Sequence, residues 1–187
     1  MKKIKYILVL SIAISAFTSF TVNAQNKYLD KNGTITFEAS EKLFEEVKAQ
    51  TQSATAILNI ETYEIAALAL VKGFRFKNSL MEEHFNENYI ESDTYPKAIF
   101  KGKLLAFDSS TLNETPLDVV VEGTLELHGK AKDVRTTLSV HQNEDAIAIK
   151  GSFNVAPGDF DIEIPKIVRN KIAKEVSVQI DFNLTKK

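Results

Sequence analysis

The nine residues Val176-Ser177-Val178-Gln179-Ile180-Asp181-Phe182-Asn183-Leu184 put an apolar side chain at every even position and a polar one at every odd position. A helical period would scatter those five apolar groups around an axis. A strand with one buried and one wet face gathers them on one side. The same alternation runs through Leu117, Val119, Val121, Gly123, Leu125 and Leu127, through Val134, Thr136, Leu138 and Val140, and through Ile147, Ile149, Gly151, Phe153 and Val155. Upstream, residues 35–37, 55–60, 62–77 and 95–107 read as further strands, about eight in all with turn signals between them.

Leu127-His128-Gly129-Lys130 and Gln142-Asn143-Glu144-Asp145 have the chemistry of hairpin turns, and Asn32-Gly33 that of a turn opening the first strand. In the long run, Ile65, Ala67, Ala69 and Val71 occupy odd positions and Phe74 and Phe76 even ones. A bulge at Gly73 would bring both groups to one face. Ser79-Leu80-Met81-Glu82 reads as a capping box, and Met81, Phe85 and Tyr89 then form one stripe on a helix of about three turns. Residues 167–172 and 40–47 read as short helical pieces.

Lys2, Lys3 and Lys5 precede an apolar stretch, and Val22-Asn23-Ala24 suits a signal peptidase. Residues 1–24 therefore read as a secretory leader, and residues 25–187 as one domain. Removing the leader and its three lysines from the 187-residue chain leaves 163 residues, with 20 basic against 25 acidic side chains. That balance gives no electrostatic footprint for nucleic acid. Cysteine is absent, which excludes disulfides, thiolate metal sites, cysteine nucleophiles and a cysteine-linked lipid anchor.

About eight antiparallel strands can close into a barrel, wide enough to be filled by side chains or to hold one small ligand. Several positions expected to face inward are small, namely Ala67, Ala69, Ala98, Gly102, Ala106, Gly123 and Gly151. Their size favours an internal space, lined otherwise by Phe, Leu, Ile and Val. Such a lining suits an alkyl or isoprenoid chain and offers nothing to a polar metabolite.

Catalytic and metal motifs are wanting. Glu83-His84 with Glu87 could touch a metal, but the group reads better as the wet face of the helix. His128 and His141 read as surface or turn residues. No Gly-x-Ser-x-Gly elbow, phosphate loop or dinucleotide fingerprint occurs. Asp159, Asp161 and Glu163 alternate with Phe160 and Ile162 as the solvated face of an extended segment would. The reading is of a protein that is not an enzyme and has no cofactor and no metal.

The run from Phe74-Arg75-Phe76-Lys77-Asn78 through Tyr89, then Tyr95-Pro96-Lys97-Ala98-Ile99-Phe100-Lys101-Gly102, resembles the YceI-like lipid/polyisoprenoid-binding family. Gly123-Thr124-Leu125-Glu126-Leu127-His128-Gly129, Gly151-Ser152-Phe153-Asn154-Val155, Asp159-Phe160 and Ile164-Pro165 continue the resemblance across nearly all of residues 25–187. It implies a lipocalin-like eight-stranded antiparallel barrel, exported to the periplasm or secreted, with an isoprenoid or related amphiphile inside. This chain resembles the shorter variants, opening with Gly33-Thr34-Ile35-Thr36-Phe37 and lacking tryptophan. Ala67 stands where the resemblance leads one to expect an aromatic.

The expectation is thus an exported carrier or reservoir for an apolar lipid, with no nucleic-acid partner and no stable membrane insertion, a homodimer being left open. Phe74, Phe76, Phe100, Leu104 and Phe153 are expected to line the cavity, and Leu80, Met81 and Phe85 to cover one end as a movable helix. Two other readings stand beside it: an exported interaction or stress module with a filled barrel, and a small outer-membrane barrel with its apolar face outward.

Overall fold

The computed structural model describes residues 26–41 and 44–187. The leader assigned to residues 1–24 lies outside them, as do Lys42 and Leu43. Nine strands are formed: β1 (Lys27–Ser40), β2 (Lys48–Asn59), β3 (Glu64–Leu70), β4 (Arg75–Phe76), β5 (Lys97–Leu105), β6 (Leu117–Leu127), β7 (Lys130–Asn143), β8 (Ala146–Val155) and β9 (Ile172–Lys186). All pairings are antiparallel, and β1 bonds to both β9 and β2, so eight strands close into a barrel. The two-residue β4 stays outside that circuit and pairs only with the start of β2. Closure removes the unpaired edges that an open sheet would expose.

Up-and-down order sends the connections alternately to the two ends. At one end lie 41–47, 71–96, 128–129 and 156–171; at the other lie Asn26, where the described residues begin, the C-terminal Lys187, 60–63, 106–116 and 144–145. The second end is filled. Leu58, Leu104, Val140, Ile149 and Leu184 are all at most 1% exposed there, and Tyr63 meets Phe107 edge-on at 5.2 Å. The first end is where the long connections gather.

Several local expectations are corrected. Asn32-Gly33 makes no opening turn; it lies inside β1, where the register against β2 shifts on both sides of Gly33. A glycine is required there because the Phe182 ring lies over it: a β-carbon at Gly33 would sit 2.1 Å from Phe182 Cδ1. Gly33→Val is expected to cost about 3 kcal/mol or more, since overpacking a built core costs 1–3 kcal/mol and a central ring must move. Urea unfolding measures it, and an unchanged midpoint would contradict this packing.

The parity change near Gly73 does occur, but its device is a 3-10 turn (Val71–Gly73) and not a bulge. The turn returns Phe74 and Phe76 to the face of Ile65, Ala67 and Ala69. His128 and Gly129 both have positive φ, 49° and 71°, as the two-residue hairpin requires. Residues 166–171 form successive hydrogen-bonded turns in place of the expected helix. The 40–47 segment contains a bend at Phe44 and is tied across by Ala39 N to Val47 O, 2.8 Å, with no helix among its described residues.

Candidate ligand cavity

At the end with the long connections the barrel interior is not filled. A cavity of about 480 Å³ lies there, a size ordinary for small-ligand sites. Its wall is built from inward positions of the strands: Ala67 and Ala69 of β3, Ala98 and Phe100 of β5, Phe153 of β8 and Val178 of β9 among them. The alanines leave the space that larger residues occupy at the other end. The inward glycines do not, because their room is taken by the protein's own side chains. The Phe100 ring lies against Gly102 and Gly123, which face each other across β5 and β6, and Leu138 lies against Gly151. Ala106, expected inward, is exposed at a positive φ of 49°.

The helix α1 (Ser79–His84) continues as a π-helical turn (Phe85–Tyr89) and packs on this end. Its N-cap is Asn78 and not Ser79: the Asn78 side chain accepts from the Leu80 and Met81 amides at 3.0 and 3.4 Å. Glu82 makes no capping box. It reaches back to the Phe76 amide at 3.1 Å and pairs with Arg75 at 2.8 Å, fastening the helix to β4. Phe85 then meets Phe37 and Phe76 at 5.2 Å and Phe74 at 6.5 Å between ring centroids. Tilted and edge-on pairs of this kind add about 0.5–1.5 kcal/mol each beyond burial.

Six of the eight residues singled out from the sequence border the cavity: Phe74, Phe76, Met81, Phe85, Phe100 and Phe153. Two do not. Leu80 points away and is 55% exposed, because the helix has one inward stripe and Leu80 is beside it. Leu104 faces inward but lies in the filled half, 1% exposed in the core cluster. Sequence reading missed Ile162, Ile164 and Val168, which reach the cavity from the β8–β9 connection. The alternation of Asp159, Asp161 and Glu163 with Phe160, Ile162 and Ile164 carries the signal for the first two of these, whereas nothing in the local pattern marks Val168. Asp159, Asp161 and Glu163 are solvated as expected, but around a 3-10 turn (Pro157–Phe160) and a left-handed Asp161, not an extended segment.

Polar groups keep to a few places. Glu45, His84 and Lys171 border the cavity where they also meet solvent. The Thr136 hydroxyl is spent on the Ser152 carbonyl at 2.9 Å. The arrangement can bind by burying apolar surface and offers no convergent donors to a polar ligand deep inside.

His128 is a turn residue, as expected, but its side chain is not at the surface. Its ring is buried and its Nδ1–H donates to the Phe160 carbonyl at 2.8 Å, Phe160 itself being a buried wall residue. Tyr95 lies across the ring at 4.4 Å, and Nε2 is 3.7 Å from Glu91. The β6–β7 turn thereby pins two connections that close the cavity. Lys130 adds a 2.6 Å pair with Asp161, which holds that carboxyl below its ordinary range by hydrogen bonding and charge. His128→Asn keeps a residue tolerant of positive φ but removes the ring. We expect faster amide exchange in residues 157–164 with a stability loss near 1–2 kcal/mol. Unaltered exchange there would show that the ring does not hold the connection.

The sequence matches the YceI-like domain family over residues 17–184. No curated protein matches it. Among solved structures, it is similar to a polyisoprenoid binding domain from Saccharophagus degradans implicated in plant cell wall breakdown, with a TM-score of 0.74 and 17% identity over 87% of this chain and 99% of that one. BcnA of Burkholderia cenocepacia superposes with a TM-score of 0.67 and 16% identity, covering 81% and 96%. The YceI protein of Campylobacter jejuni gives 0.57 and 14%, covering 76% and 88%. At these identities the likeness is one of fold.

Proposed function

The chain belongs to the YceI-like domain family, and from that membership together with the cavity we propose that it binds an apolar lipid, isoprenoid or related, inside the barrel. The single observation that carries the proposal is a cavity of about 480 Å³ whose polar residues keep mainly to the mouth. Each methylene moved from water into such a wall contributes up to about 0.8 kcal/mol, less the cost of ordering a flexible chain. The role is binding, as a carrier or reservoir, with the Met81–Phe85 stripe as the cover over the entrance. The description of the Saccharophagus degradans domain, a fold neighbour, as polyisoprenoid binding is in keeping with this.

We further propose that the protein is exported, on the strength of the leader-like residues 1–24. A mature chain beginning at Gln25, read by intact mass, is the expected result, and an uncleaved cellular protein the contrary one. The outer-membrane reading fits poorly: the alternating apolar residues face the barrel interior, and outward positions such as Lys101, Lys103, Glu126 and Lys150 are charged and exposed, the reverse of a lipid-facing barrel.

The binding test is native mass spectrometry on protein isolated from its own cells, followed by extraction of whatever apolar species is released. A stoichiometric lipid supports the proposal. Empty protein that also refuses an isoprenoid alcohol and a fatty amphiphile when challenged defeats it. The cover is tested separately. Phe85→Asp places a charge among three phenylalanine rings and is expected to lower uptake at least tenfold, while far-ultraviolet dichroism of the barrel persists. Undiminished uptake by that variant would remove the helix from the entrance.

A further inference from the structure

One short segment at the mouth of the cavity, residues 166–171, is cationic although the chain as a whole is mildly acidic. The β8–β9 connection carries Lys166, Arg169 and Lys171 close together, all exposed. Among the described residues none of the three forms an ion pair with a carboxylate; Arg169 instead donates to the Ile164 carbonyl at 3.2 Å. Between them stands Ile167, 84% exposed. Two successive turns hold it there, Val168 N to Pro165 O at 3.0 Å and Lys171 N to Val168 O at 2.8 Å. The next residue, Val168, lines the cavity, so the two apolar neighbours face opposite ways.

Ile167 is not alone. The large apolar side chains most exposed among the described residues are Phe44, Leu70, Leu80 and Ile167. Phe44, Leu80 and Ile167 occupy the three long connections at the open end, and Leu70 ends β3 at that same end. A single exposed leucine is ordinary. An apolar tip set among three cations without carboxylate partners, at the mouth of an apolar cavity, marks a surface suited to meet something apolar and negatively charged.

We propose that the open end of the barrel docks on an anionic lipid bilayer, Ile167 entering between headgroups and Lys166, Arg169 and Lys171 lying against lipid phosphates. The inference rests on the lipid-binding reading and adds the route by which cargo enters and leaves. Passage through bulk water would slow release about fourfold for each methylene exposed, and docking avoids that step. The same connection also carries acids, Asp161 paired with Lys130 and Asp159 and Glu163 exposed, but all three precede Pro165, and Glu45, Glu46 and Glu83 lie on other connections, so within this proposal it is the 166–171 segment that meets the bilayer. No described helix is long and apolar enough to span a membrane; the contact is peripheral and reversible.

The test uses protein isolated from its cells, flotation with vesicles of phosphatidylcholine alone or with phosphatidylglycerol added, and timed transfer of a fluorescent isoprenoid alcohol to the vesicles. Expected are association with the phosphatidylglycerol vesicles only, weakening with added salt, and a transfer rate that rises with vesicle concentration. Lys166→Gln with Arg169→Gln is expected to lower association about 25-fold, each cation near an anionic surface being worth about fivefold. Ile167→Ser should lower it about tenfold. Both variants should take up the isoprenoid alcohol from solution as the parent does, which separates failure of docking from failure of lipid binding. Equal association of parent and charge variant overturns the proposal, as does transfer indifferent to vesicle concentration. Dimerisation that Ile167→Ser abolishes, with no vesicle association, overturns it in favour of a second copy.

Discussion

Replacing Ala67 and Ala98 together with phenylalanine is expected to abolish uptake of an apolar ligand and to leave the barrel folded, with a denaturation midpoint at or above that of the parent. Both alanines lie on the cavity wall, on the neighbouring strands β3 and β5, and both side chains border open space. Ordinary small-to-large changes in a core cost about 1–3 kcal/mol because packed neighbours must move. Here the added rings enter a void, so burial contributes to stability and strain is slight. Cargo meets the opposite balance. Each methylene excluded from the cavity forfeits up to about 0.8 kcal/mol, and excluding a handful lowers affinity at least about 100-fold. Uptake of a fluorescent isoprenoid alcohol and a urea titration give both numbers. Parental uptake in a folded variant would mean that the ligand lies outside this cavity.

Leu104→Ala should do the reverse, destabilising the fold by about 3–4 kcal/mol while uptake per folded molecule stays unchanged. Leu104 is 1% exposed and belongs to the core cluster that also holds Leu58, Phe107 and Val140 of the filled half. Deleting a buried leucine side chain costs its transfer free energy and a cavity term, 2.7–5.0 kcal/mol where such series have been measured. The new void lies beyond the Phe100 ring that sits on Gly102 and Gly123, in the half away from the ligand cavity. A variant of near-parental stability would mean that the filled half is looser than its packing indicates. One that lost uptake while folded would return Leu104 to the ligand wall.

Ala98 and Leu104 also show what a period can and cannot carry. Ala98, Phe100, Gly102 and Leu104 share one parity on β5, so alternation assigns all four to the interior with equal force. It says nothing of depth along the barrel axis. Phe100 and Ala98 border the cavity, Gly102 is a seat for the Phe100 ring, and Leu104 is core. The glycines misled for the same reason: a missing side chain reads as empty room until the neighbouring strand supplies a ring to fill it. His128 misled differently. Its turn was legible, but the carbonyl it bonds belongs to Phe160, thirty-two residues further on.

Of β1 and β2 the alternation marked only residues 35–37 and 55–60. The sequence by itself determined that about eight strands form, the inward parity of β5 to β9, the β6–β7 and β7–β8 hairpins, the stripe of Met81, Phe85 and Tyr89, and the apolar chemistry of the interior. Each of these is a local property, set by the alternation of side chains along an extended backbone or by the few residues of a turn. Only the tertiary structure decided which half of the barrel is filled, where Leu80 and Leu104 lie, and that the β8–β9 connection completes the wall. Those depend on the stagger with which eight strands close and on contacts between residues far apart in the chain, neither of which any single segment encodes.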